Sequence, residues 1–162
     1  MKKYPLYEHP NLTDLKQLIT MQADRIPNQT AFEYLKQGKI EKISYAQFYH
    51  DIEAFVAFLY QQGLQNMKIA VIGENSYEWL LTYFAAVLSS NIIVPLDKEL
   101  PDGEIGDLLS HCGAQVIVYS DSYTDVAKEM LQSHKAAKIY NMKHFPMFLA
   151  DGKKLIDSGL YN

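Results

Sequence analysis

A single cysteine, Cys112, rules out an internal disulfide and fits a reducing, cytoplasmic setting. No apolar run is long. Ile69–Ile72 and Ile92–Leu96 fall far short of the roughly 20 residues that a membrane-spanning helix needs, so no transmembrane segment is expected. The opening MKKYPLYEHPNL carries two lysines with no apolar stretch behind them, so no signal peptide is read. No basic run with interleaved aromatics occurs and the formal net charge is −4, which argues against nucleic acid as a partner. Several local patterns of catalysis are missing too. Gly73 closes an apolar run, but no G-x-G-x-x-G follows it, and there is no Walker A sequence. No serine sits in G-x-S-x-G, which excludes a hydrolase elbow. His9, His50, His111, His134 and His144 form no pair at ligand spacing, so no metal site is expected. His111 stands beside Cys112, but neighbouring helix residues point about 100° apart. Cys112 reads instead as a buried, inert thiol on the apolar face of its helix.

What is present is alternation. The 162 residues, 48 % hydrophobic and 21 % charged, fit one globular domain able to bury roughly 70 % of its extended-chain surface. Helix-period segments and short apolar runs take turns, which predicts an α/β domain with a largely parallel sheet flanked by helices. A helix is expected over about Thr13–Asp24, stopped by Pro27. Ala31–Leu35 and Lys39–Ser44 read as a hairpin around Lys36-Gln37-Gly38. Phe48, Ile52, Phe55, Val56 and Leu59 stripe a long helix from Tyr45 to about Gln62, with Gly63 as its C-terminal cap. Lys68–Ile72 is a strand. After it Asn75 has N-cap chemistry, with Glu78 three residues on, ahead of a helix that reaches about Ser89. Ile92–Val94 is a strand ended by Pro95. Pro101 opens a helix whose Ile105, Leu108, Leu109 and Cys112 share a face, with Gly113 as its stop. Val116–Tyr119 is a strand, Thr124–Leu131 a helix, Lys138–Met142 a strand, and Leu149–Asp157 a closing helix.

Three acids, Glu74, Asp97 and Asp121, each fall just past a predicted strand, on the sheet edge where open α/β folds bind ligands. Converging, they would suit Mg²⁺ or a phosphoacceptor in a flavodoxin-like binding or receiver module. Apart, they are turn formers and acids at helix N-termini.

Five segments, in order and at matching spacing, resemble the AMP-forming adenylating family, which includes acyl-CoA synthetases, luciferases and peptide-synthetase adenylation domains. A first helix ends in R-x-P, here Arg25-Ile26-Pro27. The family's L-S/T-Y-x-E/Q-L is matched by Ile43-Ser44-Tyr45-Ala46-Gln47-Phe48, with Phe48 in place of the usual leucine. P-N-S-x-E-W/F corresponds to Gly73-Glu74-Asn75-Ser76-Tyr77-Glu78-Trp79. L-x-A-G-x-x-x-V-P-L/I-D/N corresponds to Leu88–Asp97, with Asn91 at the usual glycine, where an asparagine in the left-handed region would serve as the cap. The last pattern, ending S/C-G-A-x-x-I/V, is matched from Glu104 to Ile117. Val94-Pro95-Leu96-Asp97-Lys98-Glu99-Leu100-Pro101 looks most like the bacterial long-chain fatty acid:CoA ligase branch.

The resemblance implies a parent reaction in two steps. A carboxylate, a fatty acid in that branch, attacks ATP to give an acyl-adenylate and pyrophosphate; coenzyme A then displaces AMP. It implies ATP, Mg²⁺ and coenzyme A as cofactors of the full-length enzyme. The family's T-S-G-T-T-G loop, its acidic ribose motif and its catalytic lysine do not occur between Met1 and Asn162. The expectation is therefore a single α/β subdomain, 1–162, truncated before that loop, with no catalytic residue and inactive alone. Its partners would be the remainder of the synthetase or a second copy on the uncovered face. In some acyl-CoA ligases of this family a basic residue in the loop after Pro95 lies near the nucleotide phosphate of coenzyme A. Lys98 is the nearest candidate, while Glu99 holds the commonly basic position. The bland alternative for Lys98 is an ordinary solvated charge. The receiver-like module and a pseudo-enzyme interaction domain remain alternatives for the whole chain.

Overall fold

Aspartate and serine side chains set where the first helices begin. In the computed structural model, which describes residues 10–161 except 37, 134 and 137, helix α1 spans Leu15–Arg25. The Asp14 carboxylate accepts from Gln17 N at 2.7 Å and satisfies one of the free amides of the first turn. Ser44 does the same for α2, Tyr45–Gln61, accepting from Gln47 N at 3.2 Å. Gly63, at φ 72°, supplies the left-handed residue just past the end of α2 that other residues adopt only with strain.

Between α1 and α2, β1 (Thr30–Lys36) pairs antiparallel with β2 (Lys39–Ser44) as a separate two-stranded ribbon. The turn expected at 36–38 includes Gln37, which lies outside the described residues. Then β3 (Lys68–Ile72), α3 (Tyr77–Leu88), β4 (Ile92–Pro95), α4 (Asp102–Cys112), β5 (Val116–Tyr119), α5 (Thr124–Gln132), β6 (Lys138–Asn141) and α6 (Phe145–Asp157) follow in turn. The four strands form one parallel sheet in the order β4-β3-β5-β6.

Strand alternation sorts the core into two halves, as a parallel sheet covered on both faces requires. Ile69, Val71, Val116 and Val118 turn to the face packed by α2, α3 and α6. Ala70, Ile72, Ile117 and Tyr119 turn to the face packed by α4 and α5. On the first face, α2 and α6 approach until a Cβ at Gly152 would overlap the Ala54 carbonyl.

Four local expectations shift. The cap of α3 is Ser76, not Asn75: with Ser76 extended at φ −141°, its hydroxyl accepts from Trp79 N at 3.1 Å. Glu78 then stands one position too early to close a capping box and instead places negative charge in the first turn. Asn91 is not left-handed, since Asn66 is the one non-glycine residue with positive φ among the described residues. Its amide works through the side chain, accepting from Met67 N at 2.9 Å and donating to Leu64 O at 3.1 Å, which ties the α2–β3 loop to β4. On α4 the apolar stripe is narrower than read: Ile105 and Leu109 are buried, while Leu108 is 42 % exposed and Cys112 half-buried. The last helix begins at Phe145 rather than Leu149, with Pro146 in its first turn.

Candidate functional site at the C-terminal edge of the sheet

The connections out of β3 and β5 run to opposite sides of the sheet, so the crevice between their C-terminal ends is the topological switch point where open α/β folds bind ligands. Here the chain fills that crevice itself. Ser120 N donates to Ile72 O at 3.1 Å. A Cβ on Gly73 would stand 2.9 Å from the Ser120 Cβ, closer than real side chains approach, so glycine is needed at 73 for β3 and β5 to end side by side. Glu74 then closes the top, its Oε1 accepting from Ser122 Oγ at 2.8 Å. The Ser120 and Ser122 hydroxyls hold the Glu74 carboxyl below the usual carboxylate range. Of the two, Ser122 makes the bond of good geometry; the buried Ser120 Oγ has no hydrogen-bond partner among the described residues and acts as a nearby dipole.

The other two acids are engaged elsewhere. Asp97 Oδ1 accepts from Glu99 N at 2.9 Å, a turn-forming bond within the loop after β4. Asp121 Oδ1 accepts from Asn141 Nδ2 at 2.7 Å and pairs with Lys143 Nζ at 3.1 Å. Those two groups hold its carboxyl below the usual range. Glu74, Asp97 and Asp121 therefore share a sheet edge without forming one group. Among the described residues no three His, Cys, Asp or Glu side chains gather as a metal-binding set. Held apart in this way, the three acids do not fit a shared Mg²⁺ site. Lys98 lies in the same edge, its side chain 45 % exposed and its Nζ 3.4 Å from Glu99 Oε1. Its carbonyl accepts from Tyr123 OH at 2.7 Å, which anchors the loop to the start of α5.

A second feature escaped the sequence reading. Phe32 and Tyr34 of β1 face Tyr77, Trp79 and Leu80 of α3 across an open cleft of about 400 Å³. Tyr77 OH donates to Asp51 Oδ2 at 2.7 Å, and Gln47 Nε2 donates to Asp51 Oδ1 at 2.7 Å. Burial, then the Asp51 carboxylate, pushes the Tyr77 phenol far above its ordinary range, so it stays a donor. The aromatic alternation at 32 and 34 was the available signal, but its partner lies more than forty residues away in sequence.

The switch point of this α/β fold is thus closed by the chain's own residues. The model of the AMP-binding enzyme family matches residues 19–154, and the chain belongs to that family. Among relatives, it is 28 % identical over 139 residues to the mitochondrial medium-chain acyl-CoA ligase ACSF2 of Danio rerio, a match covering 82 % of this chain and 23 % of the relative. Bacitracin synthase 3 of Bacillus licheniformis is 25 % identical over 121 residues, covering 74 % of this chain and 2 % of the relative. The fold is that of a long-chain-fatty-acid-CoA ligase of Archaeoglobus fulgidus, at a TM-score of 0.75 and 14 % identity over 94 % of this chain and 32 % of that one. The N-terminal domain of FACL13 from Mycobacterium tuberculosis superposes at a TM-score of 0.74 and 17 % identity, over 86 % of this chain and 36 % of that one. The chain spans about a quarter of the length of the acyl-CoA ligase and about a third of these structures.

Proposed function

We propose that this chain is the N-terminal scaffold of an ATP-dependent, AMP-forming acyl-CoA synthetase that activates a fatty acid in the cytoplasm, and that it is inactive alone. The observation that carries this reading is the family match over 19–154 together with likeness to acyl-CoA ligases in both sequence and fold. In the parent enzyme ATP and Mg²⁺ would be held by segments beyond those described, because the acids at this sheet edge are spoken for. Developing charge on transferred phosphate must be stabilised by fixed donors or a metal, and loss of a single such donor costs about 10²–10³ in rate. The chain should therefore show no fatty-acid-dependent exchange of labelled pyrophosphate into ATP in the presence of Mg²⁺, with a full-length synthetase as control. Exchange above the blank would sink the fragment reading. In the parent enzyme, exchange driven by amino acids rather than fatty acids would point to a peptide-synthetase adenylation domain, the class represented by bacitracin synthase 3.

Lys98 is proposed to approach the nucleotide phosphate of coenzyme A. Support comes from its exposed position on the C-terminal sheet edge and from its anchored backbone. Lys98→Ala in the full-length enzyme should raise the KM for coenzyme A with kcat little changed; an unchanged KM removes Lys98 from the site.

A further inference from the structure

The cleft between β1 and α3 is walled by aromatic rings and overlooked by acids. Phe32 and Tyr34, two apart on β1, turn to the same side of the ribbon. Packing fixes the rings in place. Tyr34 stacks on Tyr77 at a centroid distance of 6.2 Å, Phe32 meets Tyr77 edge-on at 5.8 Å, and Trp79 stacks on Tyr83 at 5.9 Å. Among the described residues no Lys, Arg or His lines the cleft. Burial, then the carboxylates of Glu78, Glu41 and Asp51, raise the Tyr34 phenol, so negative charge from three sides acts on this ring.

The polar side chains around the cleft are mostly committed. Glu33 pairs with Lys42 across the ribbon at 3.1 Å. Asp51, behind Tyr77, gives one oxygen to Tyr77 OH and the other to Gln47 Nε2. Ser76 Oγ accepts from Trp79 N. Asn75, displaced from the cap by Ser76, is exposed and makes no side-chain hydrogen bond to another described residue. The cleft thus favours positive charge but has few side-chain acceptors to spare. A primary ammonium brings three N–H donors, which would lose water without replacement. A quaternary ammonium has none, and its methyl groups carry the charge onto ring faces. We propose that the β1–α3 cleft binds the quaternary ammonium group of a small organic cation against Tyr34, Tyr77 and Trp79, with Asn75 at the rim for a neutral polar substituent. Its volume of about 400 Å³ lies within the range of small-ligand sites. The proposal goes beyond the acyl-activating reading and does not depend on it.

Two other occupants fit less well. An anion would face Glu78, Glu41 and Asp51 with no cation in the lining to offset them. A neutral apolar group would meet the same rings but gain nothing from the carboxylates, so charge is what separates it from the proposed ligand.

Trp79 is the chain's only tryptophan, so its fluorescence and its indole N–H resonance report on this cleft alone. The test is titration of the ¹⁵N-labelled chain with choline chloride, against sodium chloride at matched ionic strength. Choline should shift both signals saturably. Its uncharged carbon isostere, 3,3-dimethylbutan-1-ol, should bind about fivefold more weakly or worse. Tyr34→Leu keeps bulk without the ring and should erase that preference, whereas Tyr34→Phe keeps the ring and should retain it. Glu78→Gln should weaken choline about twofold and leave the isostere unchanged. If Tyr34→Leu does not fold, the comparison of the two alcohols and the Glu78→Gln variant carry the test. The proposal is overturned by the absence of a saturable shift with choline, by equal binding of the isostere, which means an apolar pocket, or by a preference that survives Tyr34→Leu. It is equally overturned if labelled choline binds the 162-residue chain but not a longer enzyme that contains it, which means that another part of that enzyme fills the cleft.

Discussion

The two faces of the sheet solve the same packing problem with different materials. Under α2, α3 and α6 the core is an aromatic lattice. Phe55 meets Phe145 at a centroid distance of 4.5 Å, Phe58 meets Phe148 at 4.7 Å, and Phe32 meets Phe48 at 4.7 Å. Under α4 and α5 it is aliphatic and small, with Ile105, Leu109, Ala127 and Met130 against Ala70, Ile72 and Ile117. Each face also buries a helical glycine. Gly152 of α6 lies against the Ala54 backbone, which cannot yield, whereas Gly106 of α4 lies against the Met130 methyl at 3.2 Å, the far end of a flexible side chain. Rigid rings and backbone leave no slack on one face, and a thioether leaves slack on the other.

The sharpest break of that comparison is Gly152→Ala. Its methyl group would overlap the Ala54 carbonyl, so α6 must move off α2. Overpacking of this kind costs at least about 3 kcal/mol, and the variant should unfold well below the wild type in urea. A near-normal midpoint would show that the two helices slide freely. Phe55→Ala comes next, at about 3–5 kcal/mol, because the ring is wholly buried among Phe58, Phe145 and Phe148 and its neighbours cannot collapse into the gap. Should Phe55→Ala cost less than Leu109→Ala on the opposite face, the greater rigidity of the aromatic face would be disproved. Ser76→Ala should cost about 1 kcal/mol through loss of the α3 cap, while Asn75→Ala should cost little.

The acids at the sheet edge give a smaller, pH-dependent term. The Glu74 carboxyl titrates lower in the folded chain than in the unfolded one. Its stabilisation is therefore fully present above its unfolded value and is lost as pH falls through its folded value. The group is largely solvated, so the effect is modest. In acid titrations followed by circular dichroism, Glu74→Gln should flatten the loss of stability on that limb. An unchanged slope would mean the serine hydroxyls do not stabilise the carboxylate.

How much of this was legible beforehand depended on range. The strand–helix alternation, all four strands of the parallel sheet and the hairpin could be read from short windows, because periodicity and flanking glycine or proline act locally. The motifs that carry the family resemblance, from Arg25 to Ile117, lie within the matched span. What the sequence left open needed the folded backbone and packing around it. Asn75 and Ser76 are both good caps, and only the backbone turn after Gly73 decides between them. Whether the three acids that follow strands converge or stand apart was left open by the sequence; Ser122, Glu99 and Asn141 claim them separately. Leu108 fitted the helical stripe, but α4 meets the sheet over a narrower face.

Gly106→Ala should show the smallest effect, and its sign tests the account of the second face. Helix interiors favour alanine over glycine by about 0.8–1 kcal/mol, and Gly106 sits within α4 at ordinary helical geometry. Against that gain stands the 3.2 Å approach to the Met130 methyl, tighter than a relaxed contact. Met130 has rotatable bonds beyond its Cβ and can withdraw by a few tenths of an ångström, so the gain and the strain should nearly cancel. Chemical denaturation should then place Gly106→Ala within about 0.5 kcal/mol of wild type. Met130→Leu removes the crowding methyl, since leucine carries no atom beyond Cδ, and Gly106→Ala in that background should become stabilising by up to about 0.8–1 kcal/mol, the helix-propensity gain alone. If Gly106→Ala is as harmful as Gly152→Ala in the wild-type chain, the α4–α5 face is as tightly locked as the aromatic one, and the contrast between the faces fails.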